Sequence, residues 1–158
     1  METPKPYRIS WEEYALKLAE TASLRSEDPH ERVGACALDE NNRVIALGYN
    51  GLAQGKRPPK DFWSDRDSRR PYVLHAEANC LSLCKKQEAK VLAVTLLPCS
   101  ACATMIAAHD IPKVVYGKEY KKDQKALDIF SFYGIELIKI LMFGSIQFLR
   151  LLDSRLLY

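Results

Sequence analysis

The chain has 158 residues, a formal net charge of +3 and 47% hydrophobic residues, enough apolar material for one ordinary core. No run of eighteen apolar residues predicts a membrane span, and the N-terminal residues lack the apolar stretch of a secretory signal. The charge also falls short of the basic excess typical of nucleic-acid binders. We therefore expect a single domain over residues 1–158 in the cytoplasm, with no membrane partner and no stable nucleic-acid partner.

Cysteine usage points to a reducing environment. The chain has five cysteines, an odd number, and four of them are crowded within residues 80–102. This distribution does not resemble the disulfide framework of a small secreted protein. We expect reduced thiols, some of which bind a metal ion.

Apolar spacing and turn residues predict the elements of the first half of the chain. Residues 10–24 have helical apolar spacing behind a capping box that begins at Ser10. Two β-rich runs, 32–39 and 43–50, flank an asparagine-rich turn and predict a hairpin. The charged, proline-containing residues 51–71 then predict a loop.

The second half of the chain predicts helices that alternate with strands. The predicted helices are 75–86, 99–109 and about 121–133, and the predicted strands are 91–96, 113–117 and 135–140. Such alternation implies one sheet covered by helices on both faces. The core should span about residues 11–140. Residues 141–158 predict a C-terminal helix whose apolar face packs either on the sheet or on another subunit.

Two short segments together predict a metal site. His75 and Glu77 stand at the head of a predicted helix, which alone is weak evidence, because a helical histidine is more often structural. Residues 97–103, LPCSACA, change this interpretation. Cys99 and Cys102 lie three apart on one face of a first helical turn, and a helix N-terminus favours the thiolate, the form that binds metal. Zinc suits such a mixed set of donors.

A structural zinc ion would need a fourth protein ligand. On a helix of about 3.6 residues per turn, Cys80 and Cys84 point away from His75. His109 lies about two turns along the second helix, where it complements the helix C-terminus. Three ligands leave a position for water, whose pKa a zinc ion lowers toward about 7. Glu77, beside that water, is the predicted general base and then general acid.

The two segments carry a family resemblance. HAEANC at 75–80, followed by PCSACA at 98–103, is similar to the H-x-E and P-C-x-x-C pattern of zinc-dependent nucleobase deaminases. The resemblance implies that the histidine and both cysteines bind one zinc ion and that Glu77 carries protons to the ring nitrogen and the departing ammonia. It also implies a cytidine-deaminase-like fold, a three-layer α/β/α arrangement with a mixed five-stranded sheet.

A longer stretch resembles the deoxycytidylate deaminases in particular. Residues 24–55 contain R-S-x-D-P, V-G-A and G-Y-N-G in the order typical of that family, before the H-A-E helix. The resemblance runs from about Trp11 to Ile140. It implies hydrolysis of dCMP to dUMP and ammonia, which feeds thymidylate synthesis.

The resemblance also implies roles for residues outside the metal site. Asn50 would hydrogen-bond the deoxyribose, Tyr120 would lie against the sugar, and Ala76 belongs to the predicted substrate site. Arg25 and Ser26 are the predicted phosphate ligands, because a guanidinium and a hydroxyl group suit phosphate oxygens. An ordinary helix end and cap explains those two residues equally well.

Regulation and assembly follow from the same resemblance. Many deoxycytidylate deaminases are oligomers that dCTP activates and dTTP inhibits, through a site at the G-Y-N-G loop near a subunit contact. Residues 48–51 match that motif, so Asn50 and Gly51 are predicted effector ligands in a homo-oligomer, whether a hexamer, a tetramer or a dimer. Residues 51–71 contain no His or Cys, so the second zinc of some relatives has no ligands there. Their charged side chains, which include Arg66, Arg69 and Arg70, either contact a nucleotide phosphate or form a solvated loop.

Two alternatives remain open from the sequence. The first is another substrate for the same fold: dCTP with or without dCMP, free cytosine or guanine, or a tRNA adenosine. The lack of a concentrated basic surface disfavours tRNA. The second is a non-catalytic zinc-binding assembly protein. Glu77 argues against it, because a structural zinc site does not need that carboxylate.

Overall fold

A computed structural model describes residues 8–142. Its helices are α1 (Trp11–Ser23), α2 (Arg66–Arg69), α3 (Ala76–Leu81), α4 (Ser100–Ala108) and α5 (Lys125–Phe132), and a single 3-10 turn (Arg70–Tyr72) follows α2. Its strands are β1 (Gly34–Leu38), β2 (Val44–Tyr49), β3 (Val91–Leu96), β4 (Lys113–Lys118) and β5 (Glu136–Lys139). No helix in this part of the chain is both long and apolar enough to cross a membrane.

The five strands form one mixed sheet in the order β2-β1-β3-β4-β5. Strand β1 is antiparallel to β2 and β3, whereas β3, β4 and β5 are parallel to one another. The carboxyl ends of parallel strands meet at one edge of a sheet. The segments that follow β3 and β4 therefore lie side by side, and they begin with the Cys99 turn and the Tyr120 loop.

Helices cover both faces of the sheet, as the alternation of elements predicted. On one face, α3, α4 and α5 bury apolar side chains that include Cys80, Ile106 and Phe130 against the strands. On the other face, α1 buries Leu16 and Ala19. All five residues of β1 are buried, because this strand is covered on both sides. The predicted three-layer arrangement with five strands is confirmed.

A glycine in β2 allows α3 to lie close to the sheet. A Cβ atom at Gly48 would stand 2.5 Å from the carbonyl oxygen of Ala76 and 2.5 Å from the backbone nitrogen of Cys80. Only a residue without a side chain permits this approach. The close packing brings the first turn of α3 next to the end of β2, where Asn50 follows.

The predicted hairpin is confirmed, with strands one or two residues shorter at their ends than predicted. Asn42 adopts the left-handed conformation, with φ of 58°. The side-chain oxygen of Asp39 accepts hydrogen bonds from the backbone N–H groups of Asn41 and Arg43. These contacts close the turn between β1 and β2.

Three predicted segments differ from the structure by more than one or two terminal residues. The helix predicted at 75–86 ends at Leu81, because Leu83 and Cys84 make i to i−3 hydrogen bonds that tighten and terminate it. The predicted loop contains α2, which begins where Asp65 accepts a hydrogen bond from the backbone of Asp67. Helix α5 begins only at Lys125, after the segment that contacts α4.

The predicted C-terminal helix, 141–158, lies mostly outside the described residues. Leu141 and Met142 are described and are not helical, and Met142 packs against Gly117. The single-domain organisation of residues 1–158 stays a prediction.

Candidate active site

Two helices begin at one end of the sheet, and their first residues form a cluster of potential metal ligands. His75 occupies the N-cap position of α3 and Cys99 that of α4, and neither side chain caps its own helix. Cys102 lies in the first turn of α4. The ligand atoms of these three residues all lie within 4.8 Å of one another. Both N-cap side chains are therefore available for the cluster.

The distances within this cluster fit a tetrahedral zinc ion. The Nδ1 atom of His75 lies 3.6 Å from Sγ of Cys99 and 3.3 Å from Sγ of Cys102. With zinc bonds of about 2.3 Å to sulfur and about 2.0 Å to nitrogen, such atoms stand about 3.6 Å apart in a tetrahedral site. One nitrogen and two sulfur donors are also a set that zinc prefers. The cluster supplies three of four ligands.

The two thiols do not titrate independently. The pKa of Cys99 is lowered, chiefly because the Cys102 thiol donates a hydrogen bond to it and further because His75 does. The pKa of Cys102 is raised, chiefly because its proton is held in that hydrogen bond and because it is buried. The pKa of His75 is raised by its hydrogen bond to Cys99. A negative sulfur is thus already favoured at the first turn of α4, as metal binding requires.

Glu77 stands beside the cluster in the first turn of α3. Its side chain lines the cavity described below and is only 4% exposed. Burial raises the pKa of this carboxyl group to about 7. A carboxyl group that titrates near neutrality can both accept and release protons at a working pH, which is the requirement for general acid–base catalysis.

The other side chains considered as a fourth ligand lie elsewhere. Cys80 and Cys84 contribute to the core between α3 and the sheet, as their helical spacing predicted. His109 stands at the C-terminal end of α4, and Cys36 is buried on the α1 face. Within residues 8–142, the cluster described above is the only group of three or more potential ligands.

A cavity of about 1070 Å³ opens in front of the cluster. It lies at the large end of the range typical of small-molecule sites. Its lining includes His75, Ala76, Glu77 and Cys99 from the metal side, and the predicted substrate residues Asn50 and Tyr120. Basic residues, among them Arg66 and Lys121, also line it. The cavity therefore joins a metal-binding end to a cationic end.

Asn50 reaches the cavity from the end of β2. Its Oδ1 atom accepts hydrogen bonds from the Ser26 hydroxyl (2.7 Å) and from the backbone of Val33 (2.8 Å), and its Nδ2 atom donates to the carbonyl of Glu31 (2.9 Å). Because a backbone N–H group only donates, the atom that faces Val33 must be the oxygen, which fixes the amide orientation. The second N–H of the amide has no partner among residues 8–142. Asn50 can therefore offer a donor to a ligand.

The two predicted phosphate ligands do not belong to the cavity lining. Arg25 is exposed just beyond α1. Ser26 is buried, and its hydroxyl contacts both the carbonyl and the Oδ1 atom of Asn50. The structure thus brings Asn50, Tyr120 and Ala76 together with the metal cluster, but not Arg25 or Ser26. The phosphate role of Arg25 and Ser26 stays a prediction.

The segment from α2 through the following 3-10 turn forms a basic side of the cavity, which we call the arginine wall. Its members are Arg66, Arg69 and Arg70, and all three line the cavity. An Nη2 atom of Arg66 lies 3.4 Å from the hydroxyl of Tyr120. These arginines therefore face the cavity, and their predicted contact with a nucleotide phosphate stays a prediction.

The G-Y-N-G turn is tied directly to the segment that precedes the metal ligand His75. Gly51 and Leu74 exchange two backbone hydrogen bonds, of 3.0 and 2.8 Å. Tyr49 is exposed on the edge strand β2. The predicted effector roles of Asn50 and Gly51 stay predictions.

Sequence reasoning did not identify Asp123 as part of the site. Its Oδ2 atom accepts a hydrogen bond of 2.7 Å from the backbone of Ser100, and this bond lowers the pKa of Asp123. Asp123 therefore caps α4 in place of Cys99, whose sulfur belongs to the metal cluster. The cap lies 23 residues from the helix that it serves, so no local spacing in the sequence indicates it.

A second contact that the sequence did not reveal joins Asp28 to Arg69. Their Oδ2 and Nη1 atoms lie 2.8 Å apart, with both side chains buried. Asp28 is the aspartate of the R-S-x-D-P motif, so the motif was visible in the sequence although its partner was not. Both residues line the cavity.

Comparisons with known proteins agree with this site. The family model for the cytidine and deoxycytidylate deaminase zinc-binding region matches residues 9–118. Over 115 residues the chain is 32% identical to human deoxycytidylate deaminase, a match that covers 68% of this chain and 65% of that one. Over 127 residues it is 35% identical to deoxycytidylate deaminase of Mycobacterium phage D29, covering 71% of this chain and 98% of that one.

A solved structure is similar as well. The dCMP deaminase of the cyanophage S-TIM5, in complex with dCMP and dUMP, matches with a TM-score of 0.69 at 31% identity, covering 81% of this chain and 95% of that one. The chain belongs to the zinc-binding family of cytidine and deoxycytidylate deaminases. The predicted family, fold and zinc cofactor are thereby confirmed. The chain spans 65% of the length of its human relative.

Proposed function

We propose that this protein hydrolyses dCMP to dUMP and ammonia. The observation that carries the proposal is the His75, Cys99 and Cys102 cluster beside the buried Glu77, in a cavity whose lining also includes Arg66, Arg70 and Lys121. A purely structural zinc site would not need a buried carboxyl group aimed into a cavity. The named relatives, deoxycytidylate deaminases, support the choice of substrate.

His75, Cys99 and Cys102 would hold the zinc ion, which supplies a Lewis acid and activates water for attack on the amine-bearing carbon. Glu77 takes up the proton that this water loses and delivers it to the ring nitrogen of cytosine. Glu77 then takes the second proton of the added water from the new hydroxyl group on that carbon and gives it to the departing amine, so that ammonia leaves and the ring carbonyl forms. The pKa of about 7 that burial gives Glu77 suits both transfers.

The remaining contacts would orient the nucleotide. The free N–H of Asn50 donates to a sugar oxygen, and Tyr120 lies against the sugar. Ala76 is the first residue of α3, so its N–H has no intrahelical acceptor and is available to the base. We assign the phosphate to Arg66 and Arg70 of the arginine wall, because guanidinium groups bind phosphate oxygens well.

The decisive experiment measures ammonia and product from the zinc-loaded protein with dCMP, dCTP, deoxycytidine, cytosine and an adenosine-containing tRNA loop. We expect dCMP to have the highest kcat/KM. A preference for another of these substrates would refute the substrate assignment, and no ammonia from any of them would refute the proposed reaction. The Glu77→Gln variant, which lacks the proton-carrying group, serves as the negative control.

We further propose that the protein is a cytoplasmic homo-oligomer and that dCTP and dTTP regulate it. The edge strand β2 supports association, because it exposes the apolar side chains of Val44, Leu47 and Tyr49. Tyr49 adjoins the predicted effector residues Asn50 and Gly51. All five cysteines are free, in keeping with a reducing compartment. Light scattering, with and without each effector, tests the assembly, and initial rates with dCMP test the regulation.

A further inference from the structure

Four buried polar residues form a hydrogen-bonded chain along one side of the cavity. They are Asn50, Ser26, Asp28 and Arg69, and none is more than 8% exposed. The Ser26 hydroxyl donates to Asn50 and accepts a hydrogen bond of 3.2 Å from the backbone of Asp28. The Asp28 carboxylate in turn accepts from Arg69 at 2.8 Å. The chain therefore connects Asn50 to the arginine wall through Ser26 and Asp28.

The carboxylate of Asp28 is saturated by these and neighbouring contacts. Its Oδ1 atom accepts hydrogen bonds from the backbone N–H groups of His30 (2.8 Å) and Glu31 (3.2 Å), and its Oδ2 atom is held by Arg69. A free carboxylate at this position would repel an anionic ligand in the cavity. Pairing with Arg69 cancels that charge. The Asp28 carboxylate therefore binds groups of the protein itself, namely two backbone N–H groups and the Arg69 guanidinium.

Two further contacts hold Arg69 and the segment that precedes it. Its guanidinium lies 5.3 Å from the centre of the Trp63 ring, a favourable cation–π distance. The carbonyl of Trp63 lies 2.8 Å from Nε2 of His30. Residues 63–69 are therefore attached at two points to residues 28–30, at the end of the R-S-x-D-P motif, and the same residues begin the arginine wall.

We infer that Asp28 is a positioning residue, which acts through Arg69 to set the arginine wall at a fixed distance from Asn50. A nucleotide monophosphate presents its sugar and its phosphate at one separation, so the two groups that receive them must be held at a matching separation. The identity of this ligand rests on the proposed function. The positioning itself rests on the network. In this proposal the aspartate of the R-S-x-D-P motif positions the arginine wall and does not itself contact the phosphate.

The kinetic test uses Asp28→Asn, which removes the charge but keeps an oxygen for the two backbone donors. We expect kcat/KM for dCMP to fall, by up to about 10²-fold, through a higher KM with kcat nearly unchanged. The fall in kcat/KM should be smaller for deoxycytidine, which has no phosphate. Arg69→Lys should retain more dCMP activity than Arg69→Gln, because it keeps the charge pair. Asp67→Asn, an exposed carboxylate of α2 outside the cavity lining, is the matched control.

A double variant distinguishes a loss of positioning from destabilisation of the fold by an unpaired buried charge. Asp28→Asn leaves the buried Arg69 charge uncompensated, whereas Asp28→Asn with Arg69→Gln removes both charges. If the pair acts as one unit, the double variant should lose no more than the worse single variant. Additive losses, or equal losses with dCMP and deoxycytidine, would overturn the inference.

Hydrogen exchange tests the positioning without reference to any substrate. In Asp28→Asn, the amides of residues 63–72 should exchange faster than in the wild type, while those of β3 and β4 keep their protection. Unchanged protection of residues 63–72 would overturn the inference whatever the substrate is. A wild-type protein that does not deaminate dCMP would overturn the proposed function alone.

Discussion

The two ends of the cavity are built in different ways. The metal end uses the first turns of two helices, and its ligands lie no more than 27 positions apart along the chain. The cationic end uses irregular segments, and its central ion pair joins residues 41 positions apart. Helix N-termini orient the first end through backbone geometry. Side-chain hydrogen bonds and one buried ion pair orient the second.

This difference explains which changes each end should tolerate. A change at the metal end alters chemistry directly, because the reacting groups themselves are lost. A change at the cationic end should alter which ligand binds and how well, since it moves groups that hold the ligand away from the reacting atoms. The variants below test this separation.

The largest effect is expected from Glu77→Gln. Loss of the proton-carrying group should lower kcat for dCMP by about 10² to 10⁴-fold, while zinc content and dCMP affinity stay near those of the wild type. Metal analysis and equilibrium binding measure the last two quantities. Glu40→Gln, at an exposed hairpin position, is the control. If zinc were lost together with turnover, Glu77 would belong to the metal-holding structure instead.

The Asp123 cap provides a second test of the metal end. Removing this hydrogen-bond acceptor by Asp123→Ala should weaken zinc binding by about 10 to 100-fold, as is usual for groups that support metal ligands. Asp123→Asn keeps an acceptor for the Ser100 N–H and should therefore weaken zinc binding less than Asp123→Ala does. Competition with a chelator measures the affinity, with Asp128→Ala on the surface of α5 as control. Equal zinc affinity in all variants would mean that Cys99 does not depend on this cap.

A third test concerns the cationic end alone. Arg66→Ala should raise KM for dCMP by about tenfold, the value of one charge-assisted hydrogen bond, with little effect on deoxycytidine. Arg25→Ala, outside the cavity lining, should behave like the wild type with both substrates. A selective loss of dCMP affinity in Arg25→Ala would instead support the phosphate role that the sequence predicted.

The smallest effect is expected away from both ends. The Lys113 Nζ and Glu12 Oε1 atoms lie 3.0 Å apart, and this hydrogen bond lowers the pKa of Glu12 below its ordinary value of 4.5. A lowered carboxyl pKa stabilises the fold above the unfolded value, and the gain is lost as pH falls through the folded value. Glu12→Gln should therefore cost less than about 1 kcal/mol near pH 7 and nothing in strong acid. Thermal unfolding measures this, and turnover should not change.

Local patterns in the sequence predicted most of the fold and the metal end. Strand β3 was predicted with its observed bounds, and the roles of Ser10 and Asn42 follow from the chemistry of caps and turns. The metal ligands were found because each lies in a short motif with its own physical requirement.

The cationic end was harder to predict, because its function depends on contacts between distant segments. The sequence does not reveal that the Ser26 hydroxyl turns inward to Asn50, or that Arg69 folds back onto Asp28. The guanidinium group of Arg25 could bind a phosphate as well as those of the arginine wall. The fold nevertheless leaves Arg25 outside the cavity lining. Composition alone could not decide which of many arginines faces the ligand.

The central claim is that three side chains hold one zinc ion that serves deamination. Metal-free protein should be titrated with Zn²⁺ while the formation of dUMP from dCMP is measured. We predict that activity rises linearly and stops rising at one zinc ion per chain. Full turnover by the metal-free protein, or a rise that continues to two ions per chain, would contradict the claim.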